Sequence, residues 1–129
     1  MHKLFIYGSL KRGFKQHDRH MQTAHFIDEV ETAQAAYTLV AVLDPDSDTP
    51  FPGLVEGGET RIKGELYEIG ENALARLDEY EGDDYSLVEV ALNNGQTALA
   101  YAYTGQDIPV TPAHPYIRAT GDLREWVVK

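Results

Sequence analysis

The stretch Leu74-Ala75-Arg76-Leu77-Asp78-Glu79-Tyr80-Glu81-Gly82 constrains this chain most, because it reads as the end of an amphipathic helix with an acid on its apolar stripe. Leu74, Leu77 and Glu81 stand at i, i+3 and i+7, which share one face of a helix. Two leucines mark that face as buried, so Glu81 is expected to point at the interior. Asp78 borders the same stripe, while Arg76 and Glu79 lie towards solvent. A carboxylate in the last turn also opposes the helix dipole, and Gly82 suits the left-handed position that ends many helices. A glutamate set against both preferences is a candidate for acid–base chemistry. The competing reading of Asp78, Glu79, Glu81, Asp83 and Asp84 is a solvated acidic helix end.

The rest of the chain supplies strands for that helix to pack on. Residues 3–7 form a short apolar run of central-strand character. Gly8-Ser9-Leu10-Lys11-Arg12-Gly13 follows as a turn bracketed by glycines, where Gly8 permits a positive φ or a close approach. Residues 17–24 make a short, weak helix; residues 26–30 and 37–43 are β-rich. A polar loop with three prolines covers residues 44–52. Residues 61–69 alternate, with Ile62, Gly64 and Leu66 opposed to Glu65, Tyr67 and Ile69. The pattern predicts a helix over 71–81, then strands at 85–92 and 96–104 around a primed turn at Asn93-Asn94-Gly95. On the second of these strands Ala98, Ala100 and Ala102 oppose Leu99, Tyr101 and Tyr103. The tail is proline-rich, with a closing helical turn expected at 122–128. This order indicates a single α+β domain over residues 1–129 with a mixed, strongly curled or closed sheet.

Charge narrows the partners. The net charge is −10, from 21 acidic and 11 basic residues, so nucleic acid and anionic membrane surfaces are poor partners. Lys11, Arg12 and Lys15 form the one basic cluster, beside the Gly8 turn. With no cysteine, disulfides and thiolate chemistry are excluded. The apolar run at 4–7 is too short for a signal peptide or a membrane span, which points to the cytoplasm. Nothing in the residues sets an oligomeric state.

Other motifs fail on detail. Asp44-Pro45-Asp46-Ser47-Asp48 begins like a calcium loop, but Thr49 replaces the required glycine and Val55 the closing glutamate. His17, His20 and His25 lack a third ligand at a fixed offset, so no metal is expected and surface histidines are the reading. Ser9 follows a strand and a glycine, without the Gly-x-Ser-x-Gly pattern of a nucleophile turn. Phosphate-binding and dinucleotide glycine patterns are absent, so no cofactor is expected.

Four segments in register bring a family into view. Leu4-Phe5-Ile6-Tyr7-Gly8-Ser9-Leu10-Lys11-Arg12-Gly13 resembles the opening signature of the γ-glutamylcyclotransferase-like family. That family includes γ-glutamylcyclotransferases, γ-glutamylamine cyclotransferases and AIG2-like proteins. Phe51-Pro52-Gly53-Leu54-Val55 and Lys63-Gly64-Glu65-Leu66-Tyr67 resemble its middle segment. Leu77-Asp78-Glu79-Tyr80-Glu81-Gly82 is similar to its helix end, and Tyr101-Ala102-Tyr103 to its late strand. The resemblance implies a small mixed β-barrel with flanking helices and a pocket for a γ-glutamyl group. It implies that backbone groups of Tyr7, Gly8, Ser9 and Leu10 hold the glutamyl carboxylate, and that Glu81 is the catalytic acid. Tyr103 is a further candidate, able to reach the pocket from its strand. Where family members often carry Tyr-x-Arg after the glutamate, this chain has Tyr85-Ser86-Leu87. The reaction so implied is internal aminolysis of a small γ-glutamyl amine or γ-glutamyl amino acid, releasing 5-oxoproline without metal or cofactor. The alternative is a binding or regulatory module of the same fold.

Overall fold

Period-two alternation becomes a 10-stranded mixed sheet in the computed structural model, which describes residues 1–128. The strands are β1 (His2–Ile6), β2 (His25–Glu31), β3 (Tyr37–Val42), β4 (Phe51–Glu56), β5 (Arg61–Ile69), β6 (Tyr85–Ala91), β7 (Thr97–Tyr103), β8 (Val110–Thr111), β9 (Ile117–Thr120) and β10 (Leu123–Trp126). Two helices interrupt them, α1 (Lys15–His20) and α2 (Glu71–Glu81). Strand order is β8-β3-β4-β7-β1-β5-β10-β9, with β2 also on β5 and β6 also on β7. β1 and β4 both run parallel to β7, and β10 runs parallel to β5. The other pairings are antiparallel. The sheet curls into a half-barrel, bringing β3 across to β9 and β10.

The two faces of β5 and β7 explain the core. Ile62 and Leu66 join Ala98, Ala100, Ala102, Phe5, Leu54 and Trp126 inside the curl. The three alanines leave room for the larger rings opposite. Gly64 serves the same end, because a Cβ there would lie 2.7 Å from the Phe5 ring. On the outer face Tyr67, Ile69 and Tyr101 meet Leu4, Ile6 and Met21, and α2 covers them with Ala73 and Leu77. Leu74, expected on the stripe, packs against this cluster half-buried.

One hydroxyl ties three strands together. Tyr7 is buried, donates to the Tyr101 carbonyl at 2.5 Å and accepts from the Leu54 N–H at 3.0 Å. It bridges the end of β1 to β7 and β4 in a region where the ladders are parallel and short.

The structure departs from expectation in four places. Residues 122–128 are not helical: Leu123–Trp126 is a strand that hairpins with Ile117–Thr120 through Gly121 at φ +59°. Trp126 is driven into the core, and Arg61 pins the hairpin through Asp122 at 2.8 Å. The Asn93-Asn94-Gly95 turn is not of the primed type, since Gly95 alone has positive φ (+85°). Gly95 N–H instead bonds Leu92 O at 3.1 Å, closing a three-residue loop with the glycine in the left-handed position. The short helix runs Lys15–His20 rather than 17–24, and β4 begins at Phe51 inside the expected loop. Among the described residues, no helix is long and apolar enough to cross a membrane.

Tyr7→Phe leaves the buried Tyr101 carbonyl and Leu54 N–H without partners, which costs about 1–3 kcal/mol. Urea denaturation should show that loss with an unchanged slope. An unaltered midpoint would remove Tyr7 from any role in holding β1, β4 and β7 together.

Candidate active site

Helix α2 ends as its sequence indicates. Gly82 takes φ +78° and its N–H bonds Asp78 O, so the chain turns away directly after Glu81. Glu81 is partly buried and, among the described residues, makes no hydrogen bond or ion pair. Burial, reinforced by the charge of Asp78, raises its pKa to about 7.

Glu81 faces a cavity of about 310 Å³ that Tyr7, Gly8, Ser9, Leu10 and Tyr103 also line. All six residues singled out from sequence are therefore brought together. They contribute differently. The Tyr7 hydroxyl is spent on the strands, and the Leu10 side chain lies in the outer core. What this turn offers is main chain. Among the described residues, the N–H groups of Gly8, Ser9 and Leu10 have no protein acceptor, and Lys11 N–H closes the turn on Gly8 O at 3.0 Å.

Gly8 is required by a neighbour. Its φ is not positive, but a Cβ would lie 2.8 Å from Pro52 Cβ and closer still to its Cγ. Pro52 in turn accepts the Tyr85 hydroxyl on its carbonyl at 2.7 Å. Glycine, proline and tyrosine thus form one side of the cavity in contact.

The basic cluster does not serve the cavity. Lys11 is buried, with Nζ donating to Trp126 O at 2.8 Å. Arg12 donates through its backbone N–H (2.9 Å) and Nε (3.2 Å) to buried Glu65, which also accepts the Tyr67 hydroxyl at 2.9 Å. Its guanidinium stacks 3.6 Å from the Phe26 ring centre. These bonds fasten the turn from behind. His17 adds a ring-nitrogen contact to Leu10 O at 2.8 Å, and His20 stacks on Tyr80 at 3.9 Å. Both histidines are half-buried rather than on the open surface, whereas His25 is exposed as expected.

Among the described residues, no Lys, Arg or His lines the cavity, whereas Asp44 and Asp84 do. Sequence reasoning missed these two, and also Tyr80, Tyr85, Tyr101 and Pro52. Tyr101 was legible in part, since it shares the Tyr103 face of β7. The Tyr103 hydroxyl is buried without a hydrogen-bond partner, and the Tyr101 hydroxyl lies beside the Asp78 carboxylate. Burial first, then nearby carboxylates, raises both phenols above the usual tyrosine range. Leu87, in the place of the family arginine, pairs with Tyr101 across the sheet and packs on the outer core, outside the cavity.

The family model described as gamma-glutamyl cyclotransferase, AIG2-like, matches residues 4–125. The chain belongs to this family. A Methanocaldococcus jannaschii protein provisionally named gamma-glutamylcyclotransferase is 32% identical over 108 residues, 80% of this chain and 83% of that one. The gamma-L-glutamyl-butirosin B gamma-glutamyl cyclotransferase of Niallia circulans is 33% identical, over 80% of this chain and 66% of that one. A mouse AIG2-like crystal structure superposes with TM-score 0.64 at 22% identity, covering 90% of this chain and 89% of its own. The gamma-glutamyl cyclotransferase family is one of enzymes, and its fold is the curled mixed sheet with two helices found here.

In this cyclotransferase fold Gly8→Ala should force Pro52 away from the turn. The expected loss is about 1–3 kcal/mol of stability, with a weaker affinity for any ligand of the cavity. Unchanged thermal stability and unchanged ligand affinity together would show that the contact is slack.

Proposed function

We propose that this chain is a γ-glutamyl cyclotransferase that closes the γ-glutamyl group of an amine or amino acid derivative into 5-oxoproline, with Glu81 carrying the protons. One observation supports it above the others. An unpaired glutamate with a pKa of about 7 shares a cavity with a turn whose N–H groups are free.

The substrate arrives with its α-amine protonated and its α-carboxylate ionised. The N–H groups of Gly8, Ser9 and Leu10 suit that carboxylate, since oriented amides hold an anion without a mobile counter-ion. The ammonium gives a proton to Glu81 and the freed nitrogen attacks the γ-carbonyl carbon. A carbon–nitrogen bond forms and the carbonyl oxygen becomes an oxyanion. The ring nitrogen releases a second proton as the intermediate collapses and the original amide bond breaks. Glu81 passes both protons, one after the other, to the departing nitrogen. The ring nitrogen ends with one hydrogen, and the leaving group departs as an ammonium.

Enclosure supplies much of the rate. Holding the substrate folded makes attack intramolecular, which is worth several kcal/mol of barrier. Burial supplies the base, because a solvated glutamate near its ordinary pKa would leave the α-ammonium protonated. Leu87 packs outside the cavity, opposite Tyr101 on the neighbouring strand.

Glu81→Gln should lower kcat at least about 10²-fold while leaving the fold intact by circular dichroism. For the native chain, kcat/KM should rise with pH up to about 7, because the carboxylate must be ionised to accept a proton. Retained 5-oxoproline release in the variant would overturn the role of Glu81. Release of free glutamate would indicate hydrolysis, and ligand binding without turnover a binding module.

A further inference from the structure

We propose that the wall around Tyr103 is a leaving-group subsite for a second positive charge, so that the preferred substrates are γ-glutamyl derivatives of diamines. This rests on the cyclotransferase reading and adds the part of the substrate that reading leaves open.

The cavity has two chemically different zones. Around Glu81 stand Tyr7, Tyr80, Tyr85 and Tyr101, and the free amides of the Gly8 turn; this end matches the glutamyl group. Around Tyr103 stand Asp44, Asp84, Val42 and Ile108. Tyr103 belongs to a cluster of its own with Val40 and Val42, against which Val55, Tyr85 and Ile108 pack. Its ring meets Tyr85 edge-on at 5.4 Å, and Tyr85 borders both zones.

The carboxylates are held in place but not neutralised. Thr104 and Gly105 N–H groups bond Asp84 O at 2.8 and 3.2 Å, fixing that residue beside the end of β7. A Cβ at Gly105 would lie 2.8 Å from Tyr103 Cζ and 2.9 Å from Asp84 Oδ1, so the phenol and the carboxylate flank the same glycine. Asp44 Oδ1 accepts the Asp46 N–H at 2.9 Å, leaving its other oxygen open. Leu43 N–H bonds Pro109 O at 2.8 Å, which keeps Ile108 and Asp44 on neighbouring segments. Among the described residues, neither Asp44 nor Asp84 enters an ion pair, and no cationic side chain lines the cavity.

The Tyr103 hydroxyl is an independent sign of a ligand. The residue is 6% exposed and its oxygen has no hydrogen-bond partner, although buried polar atoms are ordinarily paired. Burial first, then the charges of Asp84, Asp107 and Asp44, oppose its ionisation, so it stays a neutral phenol with lone pairs to offer. An ammonium carries three N–H donors, and the Tyr103 hydroxyl, Asp44 and Asp84 are acceptors. Ile108 and exposed Phe51, which also lines the cavity, present apolar surface to an alkyl chain between two nitrogens. The carboxylate of an amino acid leaving group would instead meet Asp44 and Asp84 with like charge.

Three substrates of matched length test this: γ-glutamylputrescine, γ-glutamyl-n-pentylamine and γ-glutamyl-γ-aminobutyrate, each read out as 5-oxoproline. The diamine derivative should exceed the neutral one in kcat/KM by roughly ten-fold, and the acidic one should be poorest. In Asp44→Asn/Asp84→Asn the ratio of diamine to neutral substrate should fall towards one, and added salt should shrink it in the native chain. Turnover of all three at similar rates, or a ratio that survives the double substitution, would overturn the subsite while leaving the reaction standing. Binding of free putrescine against n-pentylamine by calorimetry keeps the two readings apart. If no substrate is turned over but putrescine binds better in a way the double substitution abolishes, the subsite stands and the reaction falls. Equal binding of the two amines, with no turnover, would remove both.

Discussion

A carboxylate taken out of water without a counter-charge sets the terms for this structure. Glu81 finds no partner among the described residues, and burial with the nearby Asp78 charge holds its pKa at about 7. The folded state thus binds the proton more tightly than the unfolded chain does. Its contribution to stability is fully present below the ordinary glutamate pKa and is lost as pH rises through about 7. The curled sheet with α2 docked on its outer face tolerates that penalty, because Ala73 and Leu77 anchor the helix in a continuous apolar layer.

Charge is handled in opposite ways on the two sides of the first turn. Behind it Glu65 and Lys11 are buried and Arg12 is exposed, and each is matched by hydrogen bonds. In front, the cavity carries Glu81, Asp44 and Asp84 with no cation among the described residues. A paired cluster rigidifies, whereas unpaired groups stay free for a ligand. The same turn links both, so its main chain is fixed from one side and open on the other. Pro52 against Gly8, and Tyr85 against Pro52, extend this rigidity across the cavity.

Much of this was legible because side-chain period encodes face. The Leu74, Leu77, Glu81 spacing marked both the helix and the acid, and the helix spans Glu71–Glu81 as expected. The alternation of Ala98, Ala100 and Ala102 with Tyr101 and Tyr103 separated the inner layer from the opposite face, where Tyr101 joins the outer core and Tyr103 a third cluster with Val40 and Val42. What failed was local signal overridden by tertiary contact. The tail around Trp126 carries helix-compatible residues, but pairing with β5 and burial of the indole make it a strand. Asp44 and Asp84 lie in loops far apart in sequence, and no spacing rule connects them. The Gly8 requirement lay in Pro52, whose contact with the first turn no one-dimensional spacing reveals.

The central claim concerns one proton, and carbon-13 nuclear magnetic resonance of side-chain-labelled glutamate measures it directly. With Glu81→Gln used to assign the signal, the Glu81 carboxyl should titrate with a midpoint near 7. A midpoint near 4.5, the ordinary glutamate value, would mean that the acid is solvated and no base.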